Sequence, residues 1–289
     1  MAYEDNLAIR RERREPEMKN NKFRFPRMII LAAGAIVVAC WSPPNAGAEN
    51  LTVAAAADLT FAFKDVAAQF QQQGPDQLRI SYGSSGNFFS QIKNGAPYDV
   101  FFSADVQYPQ KLAAAGLVES GGIYEYAAGK IVIWVPAGST LDLNRGLDVL
   151  LDPAIHKIAI ANPEHAPYGR AAVAAMQHHG IYDKVKSKLV MGEDISQTAQ
   201  FVQSGNAYVG ILALSLALAP ALKDHGRFAI IPASDYPPII QAACVIKATK
   251  HPELARRFLE FMKQPATVAK MEEYGFVLPS AAADAAYKQ

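Results

Sequence analysis

The sequence predicts an α/β protein of two lobes. Short apolar runs alternate with amphipathic helical stretches along nearly the whole chain, the pattern of strands feeding helices. Nine strand candidates are many for one open sheet. Two connector-like segments, residues 122–129 and 233–238, bracket the middle of the chain, and the second contains the stiff run Tyr236-Pro237-Pro238. Two crossings assign residues 49–128 with 239–289 to one lobe and residues 129–238 to the other, with a cleft between them of the kind that commonly holds a ligand.

The strand candidates are residues 51–57, 77–82, 98–103, 130–135, 157–161, 189–192, 208–214, 227–232 and 239–247. Between them, residues 59–73 place Phe63, Val66, Ala67 and Phe70 on one stripe at helical spacing. Residues 167–179, 196–204 and 252–262 read the same way, the last with Pro252 near its start, where a missing N–H costs nothing.

The N-terminus reads as an export segment over residues 1–48. A basic stretch to Arg27 precedes the apolar run MIILAAGAIVVAC of residues 28–40, which is short for a span of about 20 residues and suits a signal peptide. Ala46-Gly47-Ala48 fits cleavage before Glu49 and release to the periplasm; an uncleaved anchor and lipidation at Cys40 are the alternatives, and translation from Met18 or Met28 is another possible start. These 48 residues hold 8 of the 28 Lys+Arg and 5 of the 27 Asp+Glu, leaving a mature net charge of −2. That balance excludes a nucleic-acid binder and leaves any anion to be held by local dipoles. Cys244 then stands alone in an apolar strand, so neither a disulfide framework nor a paired-cysteine metal site is available.

Four places share one design, a strand end, a turn of small or polar residues and a helix start: Ala56-Ala57-Asp58-Leu59-Thr60, Gly83-Ser84-Ser85-Gly86-Asn87, His165-Ala166-Pro167-Tyr168-Gly169 and Glu193-Asp194-Ile195-Ser196-Gln197. The first N–H groups of a helix lack internal partners and carry the positive end of its dipole, so they bind anions without Lys or Arg. About five to seven bonds to a charged ligand, at about 1.5–3 kcal/mol each, cover the roughly 8–12 kcal/mol of micromolar-to-nanomolar binding. Taken singly, each has a plainer reading: Ser-Ser-Gly and Asp58 as helix caps, Tyr168 as a packed aromatic.

Enzyme and metal readings are weaker. Ser90-Gln91-Ile92-Lys93 matches S-x-x-K, but the S-D-N and K-T-G partners are missing, and Gly83-Ser84-Ser85-Gly86-Asn87 is not a G-x-S-x-G elbow, which leaves a serine hydrolase as the least favoured function. His178 and His179 are adjacent and are expected on different helix faces, without metal-ligand spacing; no metal ligand and no cofactor is expected.

The segments VAAAADLTFAF, SYGSSGNFFSQIKNGAPYDVFFSADVQYPQKL, IAIANPEHAPYGRAA, EDISQTAQFVQSGNAYVGILALS and YGFVLPS resemble the molybdate-binding proteins of bacterial ABC importers, over about residues 51–280. The likeness is to the subgroup whose third turn reads APYG. It implies the type II periplasmic-binding fold, a monomer with its ligand in the interlobe cleft, and no enzymatic activity. It implies molybdate or tungstate as ligand, rather than sulfate or phosphate, and an ABC permease in the cytoplasmic membrane as partner. By resemblance, Ser85 donates its hydroxyl and N–H, Tyr168 its N–H and hydroxyl, and Ile195 its N–H. Asp58, with Ala57 before it, stands where the family has Ser or Asn. Ala213 replaces a Tyr that some members use, and Tyr168 compensates. A carboxylate facing a dianion repels it, so Asp58 is expected to turn away and cap its helix; the alternative, accepting a proton from the bound anion, favours hydrogen phosphate.

Overall fold

The computed structural model describes residues 48–279. The export segment, its cleavage motif and the Cys40 reading lie outside the described residues, apart from Ala48. Among the described residues, no helix is long and apolar enough to cross a membrane.

Two five-stranded sheets organise the chain. The first has the order β2-β1-β3-β10-β4, with β1 (Asn50–Ala56), β2 (Gln77–Gly83), β3 (Val100–Ser103), β4 (Val118–Gly129) and β10 (Ile239–Ile246). Strand β1 runs parallel to β2 and β3, whereas β10 runs antiparallel to β3 and β4. Val53, Ala54, Ala55 and Ala56 are all buried, as befits a central strand covered on both faces. On one face, α1 (Ala62–Gln71), α9 (Pro252–Met262) and α10 (Pro265–Glu273) close an aromatic core, in which Phe63 meets Phe102 edge-on at 4.8 Å and Phe102 meets Phe258 at 5.6 Å. On the other face, α2 (Ser85–Lys93) and α3 (Gln107–Ala114) bury Phe88, Ile92 and Leu112 against Phe101 and Cys244.

The second sheet repeats the plan in the order β7-β6-β8-β5-β9, with β5 (Ile131–Pro136), β6 (Ile158–Ala161), β7 (Leu189–Gly192), β8 (Val209–Ala213) and β9 (Gly226–Ile230). Strands β6, β7 and β8 are parallel, and β5 is antiparallel to β8 and β9. The helices α4 (Pro167–His178), α5 (Tyr182–Val185), α6 (Ile195–Gln203), α7 (Leu214–Ala217) and α8 (Pro220–Lys223) lie between its strands in sequence. Pro167 and Pro220 stand at helix starts, where their fixed φ favours the first turn.

The two sheets exchange chain twice. The first crossing is Lys130, between the end of β4 and the start of β5, and residues 122–129 are the last eight residues of a 12-residue strand, not the expected connector. Gly121 has φ +73°, so β4 kinks there and pairs onward with β10. The second crossing is Tyr236-Pro237-Pro238, leading into β10. Each crossing delivers the antiparallel strand of the lobe it enters, β5 or β10, so the carboxyl ends of the parallel strands of both lobes meet across the cleft.

Candidate functional site

The four strand–turn–helix junctions converge on one small cavity between the lobes. It is lined by Ala57, Asp58, Ser85 and Ala104 from one side and Tyr168 and Ile195 from the other. Its lining contains no Lys, Arg or His.

Capping leaves one first-turn N–H pointing out of each of three helices. In α2, the hydroxyl of the cap Ser84 accepts from Asn87 N–H at 3.4 Å and Gly86 N–H goes to the His165 carbonyl at 2.9 Å, so Ser85 N–H remains. In α6, Asp194 Oδ1 accepts from Ser196 N–H at 2.8 Å and Gln197 N–H at 2.9 Å, and Ile195 N–H remains. In α4, Pro167 has no N–H and Gly169 N–H donates to Ala166 at 3.1 Å, which leaves Tyr168 N–H. Each is an orphan donor at the positive end of a helix dipole. The Ser85 hydroxyl accepts from Ala104 N–H at 2.9 Å, so its own proton is free to be donated. Ser84 and Ser85 both line the cavity, Ser84 as the cap of α2 and Ser85 with its N–H and hydroxyl proton uncommitted.

Asp58 departs from expectation. It lies inside the single 3-10 turn Ala57–Leu59, makes no cap, and is buried at 1% exposure. Its Oδ2 accepts from the Tyr168 hydroxyl at 2.8 Å and from Gln241 Nε2 at 2.6 Å. Its Oδ1 is buried with no hydrogen-bond partner among the described residues. The carboxyl is held instead by Gln241 from β10 of its own lobe and by Tyr168 from across the cleft. Burial pushes its pKa up to about 6 against the opposing pull of the Gln241 and Tyr168 hydrogen bonds. Burial, and then the charge of Asp58, holds the Tyr168 phenol well above its ordinary value. The Tyr168 hydroxyl is thus committed to Asp58, not free to make good the missing Tyr at Ala213.

Gln241 was not singled out by sequence reasoning. A fully buried Gln in the apolar strand IIQAACVI is the signal that would have found it. The β4–β10 register slips between Gln241 and Ala242, with Gln241 opposite Ala127 and Ala242 opposite Glu125. Tyr126 is the extra residue of this bulge, and its hydroxyl donates to Gln241 Oε1 at 2.7 Å. The chain Tyr126–Gln241–Asp58–Tyr168 thereby links both lobes beneath the cavity.

Other contacts hold the lobes together. Ser196 Oγ donates to the Ala57 carbonyl at 3.0 Å and Ser215 Oγ to the Asp58 carbonyl at 2.8 Å. His165 Nδ1 lies 2.9 Å from Ser84 Oγ, Asn87 donates to Glu193, and Arg170 pairs with Asp105. Ser90 and Lys93 are exposed on α2. Contrary to expectation, His178 and His179 face the same group: α4 ends at His178, and the two Nε2 atoms lie 3.9 and 2.7 Å from Asp235 carboxylate oxygens. No cluster of three or more potential metal ligands occurs among the described residues.

Two α/β lobes joined by two crossings, with helix starts lining the cavity between them, are the architecture of a solute-binding protein. The profile of the family described as bacterial extracellular solute-binding protein matches residues 51–277, and the chain belongs to that family. It is 37% identical over 256 residues to the molybdate-binding protein ModA of Azotobacter vinelandii, covering 89% of this chain and 99% of the relative. It is 34% identical to ModA of Rhodobacter capsulatus, over 88% of this chain and 98% of that one. The solved structure of the A. vinelandii periplasmic molybdate-binding protein superposes with a TM-score of 0.75 at 38% identity, over 79% of this chain and 99% of that chain.

Proposed function

We propose that this protein captures molybdate or tungstate in the interlobe cavity and delivers it to an ABC permease in the cytoplasmic membrane, acting as a monomer in the periplasm. The observation that carries the reading is the convergence of leftover N–H groups from three helices, at Ser85, Tyr168 and Ile195, on a cavity without a side-chain cation. Such neutral donors suit a fully ionised tetrahedral oxyanion that must also be released, since no buried counter-charge is left behind. The likeness to ModA over most of both chains supports molybdate as the ligand.

Ser85 supplies an N–H and a hydroxyl in this reading, Tyr168 and Ile195 an N–H each, and Ala57 and Asp58 form the wall from the turn after β1. The lobes hinge at Lys130 and at Tyr236-Pro237-Pro238, opening to admit the anion and closing through the contacts around His165, Ser196 and Ser215. Calorimetric titration with molybdate, tungstate, sulfate and phosphate in turn tests the proposal. Tight heats with the first two alone are expected, and a preference for phosphate or sulfate would replace the ligand.

A further inference from the structure

Asp58 is an acid in a cavity built for an anion. One carboxyl oxygen is fully engaged by Tyr168 and Gln241, and the other is buried and bare. Among the described residues, no Lys, Arg or His lines the cavity to compensate it. From β10 it faces Gln241, from α4 Tyr168, from β4 Tyr126, from α7 Ser215 and from α6 Ser196, all neutral at physiological pH. The other acid lining the cavity is Asp194, whose Oδ1 is taken up in capping α6, and the β2 end contributes Gly83 and the cap Ser84. A bare carboxylate oxygen and an oxyanion cannot share this small space, because each would remove water from the other without returning a hydrogen bond.

We propose that the oxyanion binds with Asp58 as the neutral acid, Oδ1–H donating to an oxygen of the anion, so that each dianion captured takes one proton from solvent onto the protein. The inference rests on the oxyanion reading above. The balance is simple: one O–H bond forms on Asp58, and no bond of the anion breaks. Oδ2 keeps both of its donors in this state, and Oδ1 acquires the partner it lacks. The acid offers a donor to the anion only when protonated. Burial already raises this carboxyl to about 6, and a neighbouring dianion shifts it further the same way. Because the competent form is the protonated one, it dominates below that value and thins as pH rises, by about tenfold per unit, and the apparent Kd grows in proportion.

Calorimetric titration of the protein with molybdate between about pH 6 and about pH 8, in buffers of differing protonation enthalpy, reads both affinity and proton count. The expected result is a Kd that rises about tenfold per pH unit across the upper part of this range, with close to one proton taken up per anion at about pH 8. Asp58→Asn, which presents an amide donor that does not titrate, should abolish the proton uptake and flatten the profile, and it should bind more tightly than the parent at about pH 8. Affinity independent of pH with no proton taken up by the parent protein would overturn the inference. Binding of hydrogen phosphate without net uptake would put the proton on the ligand and overturn it equally. If molybdate binds neither protein at any pH, the oxyanion reading itself has failed and this inference falls with it.

Discussion

The hydroxyl of Tyr168 crosses the cleft to donate to Oδ2 of Asp58 at 2.8 Å, tying the first turn of one lobe to a helix start of the other. Both groups are buried, and the bond is shared with Gln241, whose Nε2 lies 2.9 Å from the same hydroxyl. Tyr168→Phe removes the donor while leaving the backbone N–H of residue 168 in place. Urea unfolding should register a loss of about 1–3 kcal/mol, the scale of a buried polar group losing a partner. The Tyr168 bond also lowers the Asp58 pKa, so the variant's carboxyl should titrate at higher pH. The pH at which molybdate affinity begins to fall should move up with it, and calorimetry at several pH values would show the displacement.

Asp58 should make the ligand-free protein less stable as pH rises. Its folded pKa is raised from the ordinary 3.8 to about 6. The stability linked to its protonation is therefore fully present below the unfolded value and is lost as pH rises through about 6. The shift corresponds to on the order of 3 kcal/mol. Asp58→Asn keeps an acceptor for Tyr168 and Gln241 and cannot ionise. Its stability advantage over the parent should thus be about 2–3 kcal/mol larger at about pH 8 than below about pH 4, measured by denaturant unfolding at both. An equal difference at the two values would mean that the carboxyl is not held away from its ionised form.

Much of this was legible in the sequence because it is local. The alternation of β1, α1 and β2 follows from apolar runs and a helical stripe, and the helix starts at Ser85, Tyr168 and Ile195 follow from turn residues ahead of amphipathic stretches. Strand β4 was hidden because residues 122–129 read as a connector, whereas pairing with β10 carries the chain through them. Gln241 and Tyr126 were missed because a β-bulge, a matter of register between strands more than a hundred residues apart, brings them together. Asp58 was misjudged for the same reason: its partners come from α4 and β10, and no local rule contains them. The two histidines converge because Asp235 approaches from a distant segment just past the end of their helix.

Selectivity should follow anion size. Donors fixed by three helix starts from two lobes cannot all follow a smaller ligand inward, since backbone N–H groups have little play. Molybdate and tungstate should bind at least about a hundredfold more tightly than sulfate, or roughly 2.7 kcal/mol. Competition titrations that rank sulfate equal to molybdate would show that the donors are not set at the larger radius.

The approach of Gly86 to His165 separates folding from closure. Gly86 is in the first turn of α2, and its N–H donates to the His165 carbonyl of the other lobe at 2.9 Å. A Cβ at this position would stand 2.7 Å from that carbonyl oxygen and 2.8 Å from the His165 Cα, both backbone atoms with little freedom to yield. Gly86→Ala should therefore leave each lobe intact, and alanine in a helix is favoured over glycine by about 1 kcal/mol. What it obstructs is the closed cleft. The ligand-free variant should melt at the same temperature as the parent or slightly higher. Its molybdate affinity should fall by at least about tenfold, or 1.4 kcal/mol. Small-angle scattering should show the parent compacting when molybdate is added and the variant failing to do so. Parent-like affinity together with parent-like compaction would mean that the two lobes grip the anion without needing this contact, and the burden of closure would pass to the Ser196 and Ser215 bonds onto the Ala57 and Asp58 carbonyls.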